Sequence, residues 1–316
     1  MKHAAGRITR RAAALGMLAA CTAPARAAPA DACSPKLRVV ATTSDLASLA
    51  AIVGAGLVQV RTLVLPPMDP ESFEPGVRDL ALIEDAALVL RVGLGFDFWL
   101  DKMLGSQGRS PARWRGAIVD VSSGIPLLEV QGRNPFARDA HAHGIANPHY
   151  WLDPRNAATM SGTIAAALAA RCPEAGETVR ANHARFLAQL DGRISAWSWR
   201  LAPWRGAAVL AFHNTWPYFA RRFHLNVAGF VEPKEGVTPS AAHVASLLAL
   251  GRRWNVRAIL QTTDEPKKLS QSLAARLGIP LVELAAGVGS VPGTGDYLAF
   301  MDHNVNALAR ALAPAA

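Results

Sequence analysis

Nine histidines punctuate a chain of 316 residues, and four of them sit where the surrounding pattern suggests chemistry. His141 and His143 share the polar loop HAHGIANPHYWLDP (141–154), His149 stands beside aromatics in the same loop, and His213 opens HNTWPYF. Carboxylates accompany them: Glu71 in MDPESFEP (68–75) and Asp296 in GTGDY. Imidazole nitrogen with carboxylate oxygen is the donor set of zinc, manganese and ferrous iron. Each residue also has a plainer reading. Isolated histidines such as His183 and His224 read as helix-surface or packing residues, His141 and His143 as a solvated turn, and Glu71 with Glu74 as part of a capped turn between prolines. His149 and His213 are set apart by their aromatic neighbours, since buried rings would shield an imidazole and fix its direction.

The elements that must position these residues alternate in type. LRVVATT (37–43), VQVRTLVL (58–65), ALVLRV (87–92) and AIVDV (117–121) read as buried strands, with helical segments over 44–54, 76–86 and 96–105. The second half repeats the pattern with AAVLAF (207–212), NVAGFV (226–231), VRAILQ (256–261) and PLVEL (280–284). Apolar strands alternating with helices predict parallel sheets covered on both faces, so the fold class is α/β with two lobes. A helix over 155–171 and a long amphipathic stretch over 174–200 lie between the two groups. Such a join is a rigid spine, unlike a flexible Gly/Ser linker. The expected organisation is an N-terminal lobe (34–154), linking helices (155–204) and a C-terminal lobe (205–316). Ligands of α/β sheets sit beyond the carboxyl ends of strands. That rule draws MDPESFEP, HNTW, GTGDY and the 141–154 loop toward one interlobe cleft.

Residues 1–27 stand outside this pattern. Lys2, Arg7, Arg10 and Arg11 precede the short apolar run AAALGMLAA, the pattern of an export signal and too short to span a bilayer. LAAC would leave a lipid-anchored Cys21, whereas ARA would release a soluble product after Ala27. Removing these residues lowers the formal charge from +9 to +4, and the remaining Lys and Arg form no run, which disfavours nucleic-acid binding. Cys33 and Cys172 survive either cleavage, and an exported chain allows them to pair or to remain two thiols. Enzyme signatures are missing: there is no G-x-S-x-G, H-E-x-x-H or Walker loop, and GLGFDF (93–98) lacks the third glycine of a dinucleotide fingerprint. Metal donors without an obvious base or nucleophile point to binding over catalysis.

Taken in order, VVATTSDLASLAAIVG, DPESFEP, AALVLRVGLGFDFWLDKML, NPHYWLDPRNA, HNTWPYFARRFHL and YLAFMDHNVNALARAL resemble the zinc/manganese periplasmic solute-binding family, the metal receptors of ABC importers, over about residues 37–312. The resemblance implies two α/β lobes bridged by a long rigid helix, with one transported ion (Zn2+ or Mn2+, with Fe2+ also compatible) in the cleft. It implies a monomeric, non-enzymatic periplasmic receptor whose partner is an inner-membrane ABC permease. A metal-dependent periplasmic enzyme and a metal buffer or chaperone are the competing classes. By the same resemblance His149 and His213 are ligands, and Asp296 is the acidic ligand ahead of the terminal helix. The family's first ligand is usually the histidine of DPHxFEP, and Glu71 occupies that position here. Three roles follow for it. Glu71 ligates directly, giving two carboxylates and two imidazoles and favouring manganese or iron over zinc. Alternatively His143 or His141 completes a histidine-rich zinc site with Glu71 behind it, or Glu71 only serves a helix N-terminus.

Overall fold

The computed structural model describes residues 33, 36–106, 116–130, 145–234 and 236–313. The first group of apolar runs forms β1 (Leu37–Ala41), β2 (Val58–Thr62), β3 (Leu88–Arg91) and β4 (Ile118–Asp120), ordered β2-β1-β3-β4 and parallel throughout. Helices α1 (Ser44–Gly54), α2 (Val77–Glu84) and α3 (Phe98–Ser106) connect them. The second group gives β5 (Ala208–Ala211), β6 (Asn226–Phe230), β7 (Ala258–Thr262) and β8 (Leu281–Leu284) in the equivalent order β6-β5-β7-β8, again parallel. Helices α6 (Pro217–Phe223), α7 (Ala241–Arg253), α8 (Lys267–Leu277) and α9 (Tyr297–Leu312) belong to this half. Strand β5 is buried along its whole length, which is why its sequence shows no alternation.

Helices α4 (Pro154–Arg171) and α5 (Gly176–Leu201) join the halves. The 26 residues of α5 extend about 39 Å at 1.5 Å per residue. Val179, Asn182, Phe186, Leu190, Ile194, Trp197 and Leu201 recur every three or four positions and form its buried stripe. Polar contacts fix both ends. Asn182 donates to the Val53 carbonyl of α1 at 3.1 Å, and the Trp197 indole donates to Asp302 of α9 at 2.7 Å. The helix is therefore tied to both lobes. Cys33 and Cys172 form a disulfide that links the start of the described chain to the end of α4.

The start of α4 is held more firmly still. Asp153 is its N-cap, accepting from the Arg155 N–H, with Pro154 in the first turn where its missing N–H costs nothing. The same carboxylate is fully buried and receives two hydrogen bonds from Arg222 of α6, at 2.6 and 3.0 Å. Replacing Arg222 by methionine would leave this buried carboxylate only the Arg155 N–H and a longer, 3.4 Å contact with Arg221. The expected loss is about 3–5 kcal/mol of unfolding free energy, measurable by urea denaturation; a change below about 1 kcal/mol would show that the pair is dispensable.

Candidate metal centre

Three of the sequence-predicted donors converge. Glu71, His149 and His213 each place a ligand atom within 4.8 Å of the others. Glu71 lies in the loop after β2, His149 directly before the 3-10 turn Tyr150–Leu152 that leads into α4, and His213 in the loop after β5. Zinc–nitrogen and zinc–oxygen bonds of about 2.0–2.2 Å mean that each donor must move inward by less than about 1 Å to share one ion. The donors fit a divalent transition metal.

Both imidazoles are held from behind. His149 Nδ1 faces Asn147 Oδ1 at 3.1 Å, and His213 Nδ1 faces Glu232 Oε2 at 2.9 Å. An acceptor at Nδ1 selects the Nδ1–H tautomer, making Nε2 the coordinating nitrogen and raising its basicity. His149 Nε2 stands 3.4 Å from Glu71 Oε1. Asn147 is itself fixed, because its amide nitrogen donates to Glu129 Oε2 and to the Asn214 carbonyl. Glu232 is fixed by the Gly236 N–H. Phe96 and Trp151 pack against the His149 ring, with centroids 5.7 and 5.2 Å away, so the shielding expected of neighbouring aromatics is present.

Other predicted positions differ. Asp296 is exposed and serves as the N-cap of α9, accepting from the Ala299 N–H at 2.9 Å. Among the described residues it is neither in the donor group nor in the cleft lining. Glu71 is not the cap of α2. Gly76 caps α2, Asp79 accepts from its N–H, and Glu71 lies five residues earlier in a turn where its own N–H donates to Asp69 Oδ1. His141 and His143 lie outside the described residues, as do Cys21 and the rest of segment 1–27. His183 contacts Ser161 on α4, and His224 is the left-handed C-cap of α6, in keeping with the plainer reading of both. The GLGFDF loop folds back on itself, and buried Asp97 accepts from the Val92 and Gly93 N–H groups. A side chain at Gly93 (φ 79°) would collide with the Asp120 carboxylate.

With this geometry established, the relatives can be compared. The family model of the periplasmic zinc-uptake complex component A, ZnuA, matches residues 39–311. The chain belongs to that family. It is 28% identical over 281 residues to a putative metal-binding protein of Treponema pallidum, covering 87% of each chain. It is 25% identical over 303 residues to the high-affinity zinc uptake system protein ZnuA of Bacillus subtilis, covering 92% of each. A crystal structure of ZnuA superposes with a TM-score of 0.74 at 26% identity, covering 88% of this chain and 100% of the other. The periplasmic zinc-binding protein TroA of Treponema pallidum, at 21% identity and a TM-score of 0.74, shows the same fold. The ZnuA-family chain thus has the two parallel-sheet lobes and long helix of metal-importer receptors. Among its described residues no helix is long and apolar enough to cross a membrane.

Two carboxyls that the sequence reading passed over also line the cleft. Asp45, at the head of α1, is buried and accepts from the Val288 N–H beyond β8; burial pushes its pKa up to about 7. Glu265, after β7, accepts from the Thr262 N–H, and burial pushes it up to about 8. Both follow strands, as do Glu232 and Glu71, so the strand-end rule applied to every strand would have found them. Their protons are held by the folded chain and released by the unfolded chain near pH 4, so this contribution to stability falls as pH rises from about 4 toward 7 or 8. Asp45→Asn keeps the acceptor for Val288 and removes the penalty. It is expected to raise the melting temperature of the metal-free protein at pH 8.5, with the gain shrinking steadily toward pH 4. Differential scanning calorimetry across this range checks it, and a pH-independent shift would contradict it.

Proposed function

We propose that this chain is the receptor of a metal ABC importer, exported by residues 1–27 and working in the periplasm as a monomer, either soluble or anchored at Cys21. It captures one divalent transition-metal ion, zinc or manganese with ferrous iron also admitted, between Glu71, His149 and His213. It hands the ion to an inner-membrane permease. The observation that carries this reading is the convergence of one carboxylate and two oriented imidazoles at the junction of the lobes, in a chain of this family. Binding over catalysis is favoured because the sequence pairs its metal donors with no recognised nucleophile or general-base signature.

A set of two imidazoles and one carboxylate is harder than an all-histidine set, so it moves preference from zinc toward manganese and ferrous iron. Glu71→His is therefore expected to raise the ratio of zinc to manganese affinity, and His149→Ala to abolish tight binding of both. Glu232→Ala, which frees the His213 ring, is expected to weaken metal binding by roughly 10–100-fold. Competition titration of metal-stripped protein measures all three. An unchanged zinc-to-manganese ratio in Glu71→His would remove Glu71 from the ligand set, and no metal binding by the unmodified chain would end the proposal.

A further inference from the structure

One carboxylate outside the donor set touches the segments that carry both imidazoles. Glu129 lies in the stretch after β4, and its Oε2 accepts from the Asn147 amide at 3.0 Å and from the Asn214 amide at 2.8 Å. Asn147 stands two residues before His149, and Asn214 directly follows His213. The asparagines also meet each other, because the Asn147 amide donates to the Asn214 carbonyl at 2.9 Å. Glu129, Asn147 and Asn214 thus close a triangle of hydrogen bonds at the junction of the lobes.

The backbone beside Glu129 is built for this contact. Glu129 has φ 54°, a left-handed conformation disfavoured for any residue with a side chain. A ring of three hydrogen bonds fixes its neighbour. The Leu128 N–H donates to the Tyr218 hydroxyl oxygen at 3.0 Å, that hydroxyl donates to the Asn147 carbonyl at 3.0 Å, and the Asn147 N–H donates to the Leu128 carbonyl at 3.1 Å. Sparsely populated backbone conformations persist where their surroundings over-determine them, and they cluster at functional sites.

Each asparagine uses Glu129 differently. The Asn147 NH2 group faces two acceptors, Glu129 and the Asn214 carbonyl, which turns its Oδ1 toward His149. That oxygen accepts from the His149 N–H at 3.0 Å and faces the ring Nδ1 at 3.1 Å. Asn214 is 5% exposed and its Oδ1 is buried without a hydrogen bond among the described residues, so Glu129 is the side-chain partner that directs it. Glu129 itself is exposed and, among the described residues, belongs neither to the donor group nor to the cleft lining. We propose that Glu129 is a positioning residue for metal capture: through Asn147 and Asn214 it sets the relative placement of His149 and His213 before an ion arrives. This rests on the reading of Glu71, His149 and His213 as the metal-binding set. Removing an outer partner of a metal ligand costs roughly 10–100-fold in affinity, and Glu129, one hydrogen bond further out, belongs at the lower end of that range.

The test measures zinc affinity of the metal-stripped full chain by competition titration. Glu129→Ala is expected to weaken zinc binding about tenfold. Glu129→Gln keeps an oxygen acceptor for both amides and is expected to stay within about twofold of the unmodified chain. In a background that already carries Asn147→Ala and Asn214→Ala, adding Glu129→Ala is expected to change affinity by less than about twofold, because its route to the rings is gone. A general structural role would carry the tenfold loss into that background and overturn the inference. Glu129→Gln losing as much as Glu129→Ala would overturn the hydrogen-bond route in the same way. If Glu129→Ala binds zinc as tightly as the unmodified chain, the positioning role fails and the metal-receptor reading stands. If the unmodified chain binds no zinc, both fail.

Discussion

The buried ion pair between Asp153 and Arg222 is the contact on which the site depends. One carboxylate caps α4 and receives the guanidinium of α6. His149 lies four residues before Asp153, and His213 lies nine before Arg222. Holding the start of α4 against the last turn of α6 therefore helps hold the two imidazoles together, with ring centroids 6.1 Å apart. The short segment 147–153 is pinned from both sides as well. The Tyr150 hydroxyl donates to Val92 in the first lobe, while Tyr297 and Tyr218 of the second donate to the Trp151 and Asn147 carbonyls. Buried polar groups with partners at this density specify one arrangement, because each alternative would leave a donor or acceptor unpaired.

Division of labour follows from that frame. The well-fastened parts present the imidazoles, whose Nδ1 partners fix tautomer and direction. Glu71 comes from a turn-rich loop after β2, where its own N–H donates to Asp69 and the Trp99 indole donates to Pro70. A carboxylate on such a loop adjusts to an arriving ion more easily than the rings do. Around them burial raises the pKa of Asp45 and of Glu265, which disfavours negative charge at those two positions of the cleft.

Much of this was legible in the sequence, for identifiable reasons. Seven of the eight strands fall within the apolar runs that predict them and β7 runs one residue past its own, to Thr262, because strands buried on both faces show as unbroken hydrophobic stretches. The long helix showed itself through its repeating apolar stripe, His213 through its strand-end and aromatic setting, and His149 through its aromatic neighbours. An acidic residue ahead of a helix has the same one-dimensional appearance as a cap and as a ligand, and the structure shows the capping hydrogen bond of Asp296. Whether Cys33 met Cys172 was open at the level of sequence, since pairing across 139 positions is a property of the assembled fold. Glu232 and Asn147 were missed because their roles exist only relative to rings far away in the chain or turned toward them by the fold.

The central claim is that one metal ion is held jointly by Glu71, His149 and His213. It is tested most directly by anomalous-difference diffraction from metal-loaded crystals, recorded at the absorption edge of the bound metal. The account predicts a single strong peak about 2.0–2.2 Å from a Glu71 carboxylate oxygen and from the Nε2 atoms of both histidines. A peak that excludes His149 and His213, or one bound through their Nδ1 atoms with Asn147 and Glu232 displaced, would contradict it.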